Sequence, residues 1–347
     1  MNERNRRSQN AMIGLAIGDA IGWSSMFHRS FLLPSWTRRI RREIDMFSEN
    51  QNVIIHPVPF SLNQPADLFD LFPTDDTEWA AFTSEILLSS DYKSYSQSVI
   101  SEWNKLVQSN ETIRGSVAIQ SAINNLRKNV QPPQSGKENP HYFDDSAMPR
   151  AVPIGILCAG NPDKAAHLAE IDASITNSED GVWAAKAIAS SISLICSGKT
   201  ISDSIEYTHK YLPKTSWVRR TFEDTFLIVR ESKSIFSILP DLQKEIVNRE
   251  YSYGNAAPET LALAFAIAQL HGDNFETAVM TSTCFVKSSE TLPAMVGALV
   301  GAMQSSVITS KNWLEAIKNL KGICIPSLAG KNYLSLVEQL SNLSGKY

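Results

Sequence analysis

Pro73-Thr74-Asp75-Asp76-Thr77-Glu78-Trp79-Ala80 leads directly into Ala81, Phe82, Glu85, Ile86, Leu87 and Leu88. A proline and a threonine ahead of such a run predict a helix start, and carboxylates in a first turn complement the helix macrodipole. The same oxygen-rich turn has a second reading, because hydroxyl and carboxylate oxygens are the ligands that a hard cation such as Mg²⁺ takes. The two readings make different demands on the rest of the chain. A cap is complete in itself, whereas a cation site needs a second oxygen cluster brought up from elsewhere.

Working outward, the sequence predicts helix after helix: 76–90, 93–109, 111–128, then a polar loop at 130–143, and further helices at about 162–175, 180–197, 201–212, 216–232, 257–271, 273–284, 289–307, 311–320 and 331–343. No sustained apolar/polar alternation and no Asn-Gly hairpin signal interrupts them, so the expected class is all-α. Upstream, residues 9–27 also read as a helix, with Gly14, Gly18 and Gly22 spaced four apart. Such a stripe costs roughly 1 kcal/mol of helix propensity per glycine, which implies that another backbone must come close. Gly297 and Gly301 repeat the device in the apolar run Leu292 to Met303. These two small-faced helices are expected to pack together and bring both ends of the chain to one central site.

Between the first glycine helix and Pro73, residues 36–48 predict an amphipathic helix with Trp36, Ile40, Ile44 and Phe47 on one face and Arg38, Arg39, Arg41 and Arg42 largely on the other. Residues 49–72 read as loop. The expected organisation is a single domain over 1–347 with an Arg-rich excursion at about 28–72. That excursion either meets a diphosphate or faces water.

The totals exclude several function classes. The net charge of −4 over 347 residues offers no global drive towards nucleic acid or an anionic membrane. The apolar run Ala11 to Ile21 is too short to span a bilayer and contains Asp19. The four cysteines, Cys158, Cys196, Cys284 and Cys324, are far apart and lack metal-ligand spacing, as expected of free thiols in a reducing compartment. The expectation is a cytoplasmic protein with no membrane partner. No phosphate-binding glycine loop and no GxSxG elbow is present, and none of the six histidines sits in a nucleophile context.

Four patches carry polar residues that packing does not explain: Thr74-Asp75-Asp76-Thr77; Asp144-Asp145-Ser146-Ala147-Met148-Pro149-Arg150; Ile175-Thr176-Asn177-Ser178-Glu179-Asp180-Gly181; and Lys287-Ser288-Ser289-Glu290-Thr291. Each alone is a plausible cap. Together they are four oxygen-rich helix starts in an all-α chain, a pattern suited to a phosphate-bearing ligand with Mg²⁺.

The order of these patches resembles the ADP-ribosylglycohydrolase family, the group that contains the dinitrogenase-reductase-activating glycohydrolase and crystallin J1-like proteins. Gly14-Leu15-Ala16-Ile17-Gly18-Asp19-Ala20-Ile21-Gly22 is similar to the family's GxxxGDAxG start, and Thr74-Asp75-Asp76-Thr77 to its TDDT metal motif. Ser146-Ala147-Met148 with Arg150, Pro153 and Gly155 resembles its substrate loop. Glu290-Thr291, running into Gly297-Ala298-Leu299-Val300-Gly301-Ala302, resembles its late DxDT segment and the helix after it.

The resemblance implies an all-α fold, a Mg²⁺ centre, and hydrolysis at the anomeric carbon of an ADP-ribosyl or related ribosyl group on a protein or a small molecule. It assigns Thr74, Asp75, Asp76, Glu290 and Thr291 to the metal, with Asp75 and Asp76 also in the catalytic role. Asp145, Ser146, Met148 and Asn177 fall to the substrate. Departures from the pattern are part of the reading: Ser288 and Glu290 stand in the DxDT positions, Met26 near a family glutamate, Asn177 at a family histidine, and Pro149 as an extra residue. Ser288 and Met26 fall on the same metal, so one ion is expected rather than two. The alternative is an ADP-ribose-binding homologue with impaired turnover and a regulatory or interaction role.

Overall fold

The computed structural model describes residues 2–30, 71–109, 111–247, 249–251, 254–308 and 310–347. The Arg-rich segment, with its expected helix at 36–48, lies outside the described residues, as does the side chain of Met26. Among the described residues there are sixteen α-helices, and the only β pairing is two isolated bridges.

In chain order the helices are α1 (Glu3–Ser30), α2 (Asp75–Ser89), α3 (Tyr95–Gln108), α4 (Val117–Arg127), α5 (Gln134–Lys137), α6 (Met148–Leu157), α7 (Pro162–Ala173) and α8 (Glu179–Cys196). They continue as α9 (Ile201–Thr208), α10 (Trp217–Val229), α11 (Ile235–Leu242), α12 (Ala257–His271), α13 (Phe275–Ser282), α14 (Leu292–Met303), α15 (Lys311–Ile317) and α16 (Tyr333–Asn342). No described helix is long and apolar enough to cross a membrane.

Two kinds of helix build the core. All ten residues of α6 are buried, as are Ala257–Ala268 of α12 and Leu292–Ala302 of α14. Helices apolar all round belong inside a bundle. Amphipathic helices cover them: α3 buries Tyr95, Val99, Trp103 and Leu106 at helical spacing and leaves its other face to solvent.

The glycine stripes bring α1 and α14 into backbone contact, as the sequence anticipates. A Cβ on Gly14 would lie 2.0 Å from the carbonyl oxygen of Gly297, and one on Gly18 would lie 1.9 Å from that of Pro293. The residues that follow Gly18 and precede Pro293 are therefore held side by side, although some 270 residues of chain separate them.

Several boundaries differ from expectation for identifiable reasons. Helix α4 starts at Val117 rather than 111, because Ser116 accepts from the Ile119 amide and caps it there. Helix α6 starts at Met148, with Pro149 in its first turn, where a missing N–H leaves nothing unpaired. The extra proline is thus absorbed as a helix start. Residues 286–288 form a 3₁₀ turn, so α14 begins at Leu292. Helix α11 is not anticipated at all, since Pro240 sits inside it.

Candidate functional site

The four oxygen-rich helix starts do not cap their helices. Thr74, Ala147, Ser178 and Thr291 precede α2, α6, α8 and α14, and none accepts a hydrogen bond through its side chain from the helix it opens. Elsewhere the chain caps conventionally, with Ser116, Asn161, Ser216 and Asn332 each accepting from an amide in the first turn. The polar groups of the four patches are committed to one another instead.

The organising carboxylate is Asp19, on α1 and 1% exposed. Its Oδ1 accepts from the Thr74 hydroxyl at 2.5 Å. Its Oδ2 accepts from the Thr74 amide at 2.6 Å, the Thr77 amide at 3.1 Å and the Thr77 hydroxyl at 2.5 Å. Sequence reasoning missed this role. The signal was present, since a lone aspartate inside the apolar run Ala11 to Ile21 must find partners when buried.

Anchored in this way, α2 presents Asp75, partly exposed, and Asp76, buried. The Thr291 hydroxyl lies 3.5 Å from Asp76 Oδ1 and 3.3 Å from Asp145 Oδ1. Asp145 Oδ2 accepts from the Thr260 hydroxyl at 2.6 Å, and Glu290 Oε2 from the Asn255 amide at 2.6 Å. Asp76 Oδ2 is buried and has no hydrogen-bond partner. The structure thus gathers Thr74, Asp75, Asp76, Asp145, Glu290 and Thr291 from the starts of α2, α6 and α14.

Burial first, and mutual repulsion second, holds these carboxyls above their ordinary range. Asp19 and Asp145 are pushed up to about 7 and Glu290 to about 8. Asp76 is raised well above its usual value by burial and then by the charges of Asp75, Asp19, Asp145 and Glu290. A cation is what such a set lacks. The donors are all carboxylate or hydroxyl oxygens, the chemistry Mg²⁺ prefers. Among the described residues no three His, Cys, Asp or Glu side chains stand close enough to hold a metal by themselves. An ion here would depend on the threonine hydroxyls as well.

Other expected site residues support the loop rather than line the cluster. Asn177 donates to the carbonyls of Tyr142 and Asp144 and to Asp144 Oδ1, and accepts from the Thr176 hydroxyl. Ser146 donates to Asp144 Oδ1 at 2.6 Å. Met148 is fully buried in the core. Arg150 is fully buried too, paired with Asp172 at 2.7 Å and bonded to Thr176, with its guanidinium 5.3 Å from the centre of the Trp103 ring. Ser288 Oγ is buried without a partner. No structural statement bears on the side chain of Met26.

Two further features went unread. Glu78, one turn beyond Asp75, accepts the amides of Ile323, Cys324 and Ile325 at 2.7–3.0 Å, fastening a C-terminal loop beside α2. Next to Asp144, the half-buried Phe143 ring lies 5.5 Å from His141, 5.4 Å from Trp217 and 5.3 Å from Tyr251. The four cysteines are free, and burial pushes Cys158 up to about 12 and Cys196 to about 11, so none is an activated nucleophile.

The comparisons with known proteins agree with this arrangement. The family profile described as ADP-ribosylglycohydrolase matches residues 1–345. A solved structure described as an ADP-ribosylglycohydrolase-related protein complex superposes with a TM-score of 0.60 at 18% identity, covering 99% of this chain and 100% of that one. At that identity the likeness speaks for the fold. No curated protein matches the sequence at a significant level.

Proposed function

The chain belongs to the ADP-ribosylglycohydrolase family, and from that premise we propose that it is a Mg²⁺-dependent hydrolase of the glycosidic bond that joins an ADP-ribosyl, or related ribosyl, group to a protein or small molecule. The observation that carries the reading is the unpartnered, buried Asp76 Oδ2 within a set of carboxyls that burial and mutual repulsion destabilise. A purely structural acidic cluster would have its oxygens satisfied.

Thr74, Asp75, Asp76, Glu290 and Thr291 would hold the ion. Bound there, Mg²⁺ would supply a positive charge for the ribose hydroxyls and for charge developing at the anomeric carbon. Asp75 or Asp76 would take the proton of the attacking water, while the bond from the anomeric carbon to its nitrogen or oxygen breaks and the leaving atom gains a proton. The loop Asp144–Ser146 would border the ribose and diphosphate, with Asn177 and Arg150 keeping it rigid. The aromatic faces around Phe143 supply a stacking surface for a planar base.

The second reading is an ADP-ribose-binding homologue with impaired turnover. The observation favouring it is Ser288, whose buried, unpartnered hydroxyl stands where the family pattern has a carboxylate.

The test is ADP-ribose release from a panel of ADP-ribosylated proteins and small ribosides, with Mg²⁺ and with EDTA. Mg²⁺-dependent release that falls at least ~10²-fold in both Asp75→Asn and Asp76→Asn is the expected result. Calorimetric binding of ADP-ribose with no release from any panel member would transfer the conclusion to the second reading.

A further inference from the structure

We infer that Asn255 is a positioning residue that sets the aim of Glu290 and thereby tunes the affinity of the acidic cluster for a divalent cation; this rests on the metal reading above. Asn255 adopts a left-handed backbone with φ of 63°, a conformation that asparagine tolerates better than most side chains. From that turn it grips two acidic segments at once. Its carbonyl accepts the Asp145 amide at 3.0 Å, and its Nδ2 donates to Glu290 Oε2 at 2.6 Å.

The turn does not depend on the Glu290 contact for its place. Lys287 and Glu259 form a buried ion pair at 2.7 Å, and the Lys287 ammonium also donates to the carbonyls of Val247 and Tyr251. Gly254 lies against the Lys287 backbone, where an added Cβ would sit 2.7 Å from its carbonyl oxygen. On the other side, Ala256 pairs with Asp144, and the Ala257 amide donates to the Phe143 carbonyl at 3.0 Å. The Asn255 amide is thus mounted on a frame fixed by other contacts. What it adds is the orientation of a carboxylate with a long, rotatable arm, and partners of this kind typically alter metal affinity 10–100-fold.

Asn255→Gly separates the amide from the turn. Glycine takes the left-handed conformation without penalty and keeps the carbonyl bond to Asp145, so only the grip on Glu290 is lost. Mn²⁺ binding, followed by electron paramagnetic resonance on the full chain, is expected to weaken about tenfold or more in Asn255→Gly. The urea midpoint of the metal-free variant is expected to match that of the unaltered protein. Mn²⁺ affinity within about twofold of the unaltered protein overturns the assignment, as does weakening that merely follows a lowered midpoint. Absence of Mn²⁺ binding by the unaltered protein overturns the metal reading together with it, whereas retained affinity in the variant overturns this role alone.

Discussion

The carboxylate of Asp19 accepts the Thr77 hydroxyl at 2.5 Å and the Thr77 amide at 3.1 Å, across 58 residues of chain. With the matching pair of bonds from Thr74, one side chain on α1 supplies the acceptors that the start of α2 would otherwise seek from its own cap. Replacing it by alanine would leave two amides and two hydroxyls without their partner in a buried setting. Asp19→Ala is expected to lower unfolding free energy by at least about 2 kcal/mol, since each buried group left unsatisfied costs about 1–3 kcal/mol. Asp19→Asn keeps one oxygen for three of the donors and should lose less than half as much. Urea denaturation of the metal-free protein checks both values, and equal losses would show that the oxygen geometry is unimportant.

The glycine contact between α1 and α14 gives a second test. A Cβ on Gly297 would meet the Gly14 carbonyl oxygen at 2.0 Å, and that obstacle is backbone, so the helices themselves must separate. Overpacking of this kind costs about 1–3 kcal/mol. Gly297→Ala should lower the thermal midpoint. Because α1 carries Asp19 and α14 follows Glu290 and Thr291, it should also reduce turnover, although it touches no polar group of the site. A variant with an unchanged midpoint would mean that the stripe does not hold the two chain ends together.

These two relationships also mark what the sequence can and cannot reveal. The all-α class and the packing of the glycine helices were legible because both rest on local periodicity: apolar residues at helical spacing, and glycines four apart in two separate runs. The Thr74–Thr77 patch was legible because adjacent carboxylates at a helix start are chemically conspicuous. The work of Asp19 and Asn255 was not, since each acts on partners 35 or more residues away that only the folded chain brings near. Arg150 carries the same lesson in reverse. Its place in the Ser146–Arg150 run suggested a substrate loop, but its guanidinium is consumed by Asp172 and Thr176 and lies beside Trp103. Helix α11 was hidden by Pro240, which breaks the pattern from which helices are read.

The aromatic group beside the acidic loop makes a prediction about substrate. Phe143 is half-buried, directly precedes Asp144, and has three rings within 5.5 Å, so its face is held without being fully covered. Stacking of a base on such a face contributes about 1–3 kcal/mol. Phe143→Ala should therefore raise KM for an ADP-ribosyl substrate by about tenfold or more while leaving kcat within a few-fold, the pattern for lost binding common to ground and transition states. For a substrate that carries ribose without a base, KM should be unaffected. A matching rise for both substrates would place the base elsewhere.

Asp76 yields the sharpest prediction about the cation. Its buried Oδ2 has no partner, and burial together with the charges of Asp75, Asp19, Asp145 and Glu290 opposes its ionisation. A cation that binds only the folded state relieves that repulsion and stabilises by mass action, by about 2.7 kcal/mol at a hundredfold excess over Kd. Mg²⁺ should therefore raise the thermal midpoint of the unaltered protein in a concentration-dependent way. Asp76→Asn removes a charge that repels its neighbours, so the metal-free variant should be at least as stable as the parent. The same substitution removes a ligand, so most of the Mg²⁺-dependent rise should vanish. The two effects have opposite signs, and scanning calorimetry with Mg²⁺ and with EDTA separates them. A variant destabilised without metal, yet still stabilised by Mg²⁺ as the parent is, would show that Asp76 serves the fold and that the cation binds elsewhere.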